Sequence, residues 1–232
     1  MRSTTQRRTL VAIVIAAFIN FETLAIAGDL EDATSAYRRG DYATALRLIR
    51  SLAQHGYAIA QYNLGLMYEN GEGIAQDPAA AIKWYRMAAQ QGYAPAQHDL
   101  GISYYKGEGV AQNKKEAERW FRLAAQQGYA NSQSSLGVIY LNRSDFKEAL
   151  RWVQASANQG HAPAQTNLGL MYYNGQGVAR DYVRAYMWVS LAALQNEPNA
   201  VKDRDMIAKN MTPAQIAEAK RRVAEWQRKN SK

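Results

Sequence analysis

Residues 60–92 read AQYNLGLMYENGEGIAQDPAAAIKWYRMAAQQG, and this stretch decides the fold because the chain repeats it. The pair Leu64-Gly65 returns as Leu100-Gly101, Leu136-Gly137 and Leu168-Gly169. Tyr68, Tyr104, Tyr140 and Tyr172 follow each pair at a fixed distance. Paired glycines come next, as Gly71-x-Gly73, Gly107-x-Gly109 and Gly175-x-Gly177. Trp84, Trp120, Trp152 and Trp188 mark the second half, at spacings of 36, 32 and 36 residues. Self-similarity at such a period is the mark of stacked supersecondary units.

Each unit reads as two helices. In the first, Ala60, Leu64 and Tyr68 fall on one face at i, i+4 and i+8. The glycine after each Leu costs about 1 kcal/mol of helix propensity relative to Ala. Its recurrence implies that a neighbouring helix approaches closely there. The second helix starts at an N-cap, Asp77, Asn113, Asp145 or Asp181, with Pro78 suited to the first turn. Glu116 and Glu148 are placed to complete capping boxes. Gly92, Gly128 and Gly160 then offer a left-handed C-terminal stop, and Asn196 takes that place in the last unit. The same register runs backwards: Asp41, Ala45, Leu48 and Gly56 match Asp77, Ala81, Trp84 and Gly92. Residues Tyr37 to Leu46 align without gaps to Leu141 to Leu150, and both use a short turn lacking Gly-x-Gly. About five units result, enough to bury a continuous core.

Ala60, Leu64-Gly65, Tyr68, Gly71-x-Gly73, Ala81, Trp84, Ala88-Ala89 and Gly92 stand at the signature positions of the Sel1-like repeat, a relative of the tetratricopeptide repeat. The chain strongly resembles that family over roughly residues 29–197. The resemblance implies an all-α fold, a right-handed α-solenoid of antiparallel helix pairs. The organisation expected is a signal peptide at 1–27, a half-matching unit at 28–57 and repeats at 58–93, 94–129, 130–161 (short) and 162–197. Capping helices with a basic tail follow at 198–232. Some family members staple each hairpin with a disulfide, and a few bind or slowly hydrolyse β-lactams. This chain has no Cys, which also removes thiol catalysis and thiolate zinc sites.

The N-terminus carries Arg2, Arg7 and Arg8, an apolar run from Leu10 to Phe18, and Ala25-Ile26-Ala27 before Gly28. That is the pattern of a secretory signal peptide, and the run is too short to span a bilayer. The periplasm is the expected compartment, with secretion the alternative. The general secretory and twin-arginine routes stay open. No later segment reads as an integral membrane span. Of the formal charge of +8, most sits in residues 200–232, where nine Lys and Arg face four Asp and Glu.

Candidate sites fall at fixed registers of the repeat. The Gly-x-Gly loops read as structural turns, since a phosphate cradle needs more glycines and a Lys or Ser/Thr. His55, His98 and His161 lack metal spacing, and no nucleophile-elbow signature appears, so no catalytic, metal or cofactor site is expected. The Trp and Tyr stripes read as core. Gln61, Gln97, Gln133 and Gln165 recur and should bond the neighbouring hairpin. The positions that vary on the first helices would line a concave groove. They are Tyr62, Leu66, Glu69 and Asn70; His98, Ile102, Tyr105 and Lys106; Ser134, Val138, Leu141 and Asn142; and Thr166, Leu170, Tyr173 and Asn174. Aromatics and amides with few charges suit a protein or peptide ligand. In the tail, Ile216, Ala219, Val223 and Trp226 form an apolar stripe behind a Thr212–Gln215 capping box. It reads as a cap, with a weak contact to an acidic partner or anionic surface as the sharper option. Nucleic acid is not an expected partner. The functional expectation is a non-enzymatic protein- or peptide-binding scaffold, with a cell-wall or β-lactam-related hydrolase as the alternative.

Overall fold

The computed structural model describes residues 28–230, and the expected signal peptide lies outside them. The described residues are all-helical, as the repeat pattern requires. Helix α1 spans 28–38. It is followed by α2 (Tyr42–Gln54), α3 (Ala58–Asn70), α4 (Pro78–Gln90), α5 (Ala94–Lys106) and α6 (Lys114–Gln126). The order continues with α7 (Ala130–Asn142), α8 (Phe146–Asn158), α9 (Ala162–Asn174), α10 (Tyr182–Ala193), α11 (Ala200–Ala208) and α12 (Pro213–Asn230). The described residues form two compact bodies, 28–96 with 106–112, and 97–105 with 113–230. In the first body, α2 packs on α3 and α3 on α4. In the second, α6 to α10 pack in sequence and α11 and α12 both pack on α10.

The core of the first body gathers Ala33, Ala45, Ile49, Leu52, Leu64 and Met67. That of the second is built on Phe121, Leu136, Trp152, Leu168, Met171 and Trp188. The Leu-Gly pairs explain how closely the two helices of a hairpin meet. A Cβ on Gly65 would stand 2.5 Å from the Tyr85 ring, and one on Gly101 would stand 2.7 Å from Phe121. The helix propensity given up at these glycines is therefore exchanged for close packing.

The N-caps hold. The side chains of Asp41, Asp77, Asn113, Asp145 and Asp181 each accept from the backbone N–H three residues on, at 2.9–3.3 Å. The expected capping boxes at Glu116 and Glu148 do not close. The backbone N–H of Asn113 donates instead to Tyr104 O at 2.8 Å, and that of Asp145 to Tyr140 O at 3.0 Å. Asp77 and Asp181 make the same bond to Tyr68 and Tyr172. With the cap N–H already paired inside the hairpin, Glu116 and Glu148 turn to Arg119 and Arg151. The box at Thr212 does form, with both reciprocal bonds present.

The Gly-x-Gly loops fold back onto the hairpin before them. Gly73, at φ 71°, lies so close that a Cβ would meet Tyr42 O at 2.7 Å. Gly109 stands in the same relation to Pro78 O at 2.5 Å, and Gly177 to Phe146 O. Tyr42, Pro78 and Phe146 are the first residues of α2, α4 and α8. Backbone lies on backbone there, so the loop has no room for a bound phosphate.

Candidate functional site

The repeated glutamines sit where hairpin meets hairpin. Gln61, Gln133 and Gln165 donate from Nε2 to the carbonyls of Ala53, Ala125 and Ala157 in the preceding second helix, at 3.2–3.4 Å. A second glutamine, thirty or twenty-six residues later, completes each bond. Gln91, Gln127, Gln159 and Gln195 donate to Oε1 of Gln61, Gln97, Gln133 and Gln165 at 2.7–2.9 Å. Gln91, Gln159 and Gln195 also reach Gly56 O, Gly128 O and Gly160 O at 2.9–3.0 Å. These partners were legible, since a Gln stands before each of Gly92, Gly128, Gly160 and Asn196. Buried amides paired in this way fix the spacing of hairpins and leave little capacity for a ligand.

The residue after each first-helix Gln was expected to face an open groove, and it does not. Tyr62 packs against the rings of Tyr85 and Tyr93, with centroids 5.6 and 5.3 Å apart. His98 is only 7% exposed and packs on Phe121 and Tyr129. Ser134 is buried, and Thr166 carries a buried hydroxyl without a partner. The cause is geometric. Tyr62 and His98 lie between the second helix of their own hairpin and the residue that opens the next one.

The rest of the predicted row is more open. Tyr105, Lys106, Val138, Asn142 and Asn174 are exposed, and so is Asn70, which donates to Glu72. Lys114 stands over the Tyr105 ring at 5.7 Å, and Lys106 pairs with Glu108. Glu69 is half-buried and accepts from the Tyr85 hydroxyl. Tyr173 is half-buried, stacks on Tyr182 and accepts from Asn210 Nδ2 at 3.3 Å. In the second body, Tyr105, Val138, Asn142, Tyr173 and Asn174 therefore form the accessible part of the row.

One pair has the look of a nucleophile and base. His98 Nδ1 lies 2.9 Å from Ser132 Oγ. Ser132 is 0% exposed, so no substrate reaches its oxygen. Burial, reinforced by His161, pushes His98 down to about 4, leaving it neutral at physiological pH. Among the described residues, no carboxylate bonds the ring to orient it. The pair is a buried hydrogen bond between neighbouring first helices, and it lacks the third member that makes a triad work. Among the described residues, no cluster of three or more His, Asp or Glu could share a metal ion. His161 is half-buried, which lowers its pKa, and its Nδ1 has no partner.

The tail packs on α10. Ala219 and Val223 are buried, Ile216 and Trp226 half-buried, and Trp226 meets Trp188 edge-on at 6.2 Å. Arg221 and Arg222 are engaged with Glu218 at 2.7 Å, and Arg221 also with Glu225. No helix among the described residues is long and apolar enough to cross a membrane.

Comparison with known proteins places this architecture. The Sel1 repeat model matches residues 58–93, 94–129, 130–161 and 162–197. A solved Sel1 repeat protein from Oxalobacter formigenes is 28% identical, with a TM-score of 0.71 over 87% of this chain and 84% of its own. A second solved structure is c5321, described as a protective antigen present in uropathogenic Escherichia coli strains displaying an SLR fold. It is 29% identical with a TM-score of 0.57; the match covers 88% of this chain and 54% of that one. No curated protein matches. With four consecutive repeats spanning more than half of its length, the chain belongs to the Sel1-repeat family.

Proposed function

We propose that the mature chain is a non-enzymatic scaffold of the periplasm that binds another protein or peptide through the exposed part of its first-helix row. The observation that carries this reading is the contrast between two registers of the same helices. Where the repeats agree, side chains are spent on neighbouring hairpins. The register directly after the Gln varies and is packed as well, whereas further along the helices, at Tyr105, Val138, Asn142 and Asn174, side chains stay exposed. An exposed row mixing aromatic, aliphatic and amide groups suits a polypeptide ligand. Resemblance of the N-terminus to a signal peptide supports export, and likeness to a protective antigen of pathogenic bacteria accords with it.

The hydrolase reading rests on Ser132 and His98 alone, and their burial weighs against it. A photo-cross-linking residue at Val138, compared with one at Lys147 on the second helix, tests the scaffold reading in cells. A discrete adduct at Val138 only, lost on Tyr105→Ala, is the expected result. Adducts at neither position, together with β-lactam or cell-wall turnover abolished by Ser132→Ala, would reverse it. Fractionation with and without residues 1–27 tests the compartment.

A further inference from the structure

The cap closes over α10 incompletely. Tyr186, Ser190 and Ala193 share one face of α10 at helical spacing, with Leu194 at its C-cap. With Val201 and Arg204 of α11 and Lys220 and Val223 of α12, they bound a crevice of about 230 Å³. Ser190 lines it, only 9% exposed, with a buried hydroxyl that has no hydrogen-bond partner. Leu194 and Val201 are 59% and 50% exposed, the most exposed large hydrophobic residues among those described. Arg204 and the exposed Lys220 bring positive charge, with Arg204 also touching Asp205 at 2.9 Å. A second crevice of about 480 Å³ shares Leu194 and is lined by Trp226 and by the amides of Gln159, Gln195, Gln227 and Asn230.

We propose that this crevice is a binding site separate from the first-helix row, which takes the apolar C-terminal residues of a partner polypeptide with the free carboxylate at Arg204 and Lys220. The charge selects an anion, and a guanidinium beside an ammonium suits a carboxylate. The apolar lip selects a hydrophobic side chain beside that anion. The Ser190 hydroxyl, costly to leave unpaired, gains a partner in the ligand's backbone. Size argues for a chain end over a whole small molecule, since pockets that enclose drug-sized ligands hold roughly 300–1,000 Å³. In the adjoining crevice Gln159 and Gln195 are spent on neighbouring hairpins, so the exposed Gln227 is the amide that suits an extended peptide backbone and gives nothing to an acyl chain.

Calorimetric titration of the mature chain tests the site, using a set of hexapeptides with two apolar C-terminal residues. Each is prepared with a free carboxylate and with a terminal amide, and decanoate is titrated beside them. The acid forms should bind, and the amides more weakly by roughly tenfold or more. Leu194→Glu and Lys220→Glu should each weaken the acid forms by a similar factor while the far-ultraviolet spectrum is unchanged. Tyr105→Ala should leave this binding intact, which separates the site from the scaffold row. Equal affinity of acid and amide, no binding by any peptide, or unchanged binding in both variants would overturn the proposal. So would decanoate binding where the peptides do not.

Discussion

The α9–α10 hairpin and the α7–α8 hairpin solve the same problem in two ways. In the first, residues 175–181 cross between the helices, and Gly177 lies against the opening residue of α8. In the second, only residues 143–145 cross, and no glycine loop reaches the start of α6. The position covered by such loops is apolar elsewhere. Ile82, which Gly109 touches, aligns with Leu46, Leu150 and Tyr186. Under the short turn it is Glu118, with a side chain 15% exposed. Arg143 of the turn reaches Glu118 at 2.6 Å, and Arg122 meets it at 2.8 Å. A backbone contact has been replaced by an ion-paired carboxylate. The helices keep their phase because the bond from the N-cap to the Tyr carbonyl survives in both hairpins, at 3.0 Å.

The largest break in this comparison should come from the loop. Gly177→Val adds a Cβ against Phe146 O at a φ of 70°. It should lose roughly 2–4 kcal/mol in chemical denaturation, from left-handed strain plus overpacking. Next is Glu118→Gln, which should lose about 1–2 kcal/mol at neutral pH, because Arg122 and Arg143 are themselves well exposed and partly screened. Burial pushes the Glu118 carboxyl up, but the guanidiniums of Arg143 and Arg122 outweigh it and hold it below the ordinary 4.5. A depressed carboxyl contributes its stability above the unfolded value and loses it as pH falls through the folded one. The wild-type chain should therefore shed this part below about pH 4.5, and the Gln variant should show a flatter acid limb. An identical limb in both would remove Glu118 from the account. The smallest effect belongs to Ser144→Gly. Ser144 holds a φ of 58°, where Gly40 stands in the matching turn. Relief of left-handed strain should raise stability by up to about 1 kcal/mol in the same denaturation assay.

Much of the fold was legible in the residues. The Asp and Asn caps, the Gly and Asn stops and the close approach at Leu-Gly all follow from chemistry local to one hairpin. The candidate site was legible only in part. Periodicity put Tyr62, His98 and Tyr105 on the same helix faces, yet two of them pack between their own second helix and the start of the next hairpin, and one is open. The crevice under Leu194 left no trace in the repeat pattern, because it is bounded by three helices of which two lie outside the array.

By itself, the amino-acid sequence determined the helices, their N-cap residues and the register of the four repeats, since each depends on contacts within a few turns of chain. Only the tertiary structure decided which variable residues remain exposed, what stands over Glu118 and where the cap fails to seal α10. Those outcomes depend on how far one hairpin's side chains reach into the next. The 36-residue repeat that begins with AQYNLG sets the spacing of that reach but not what it meets.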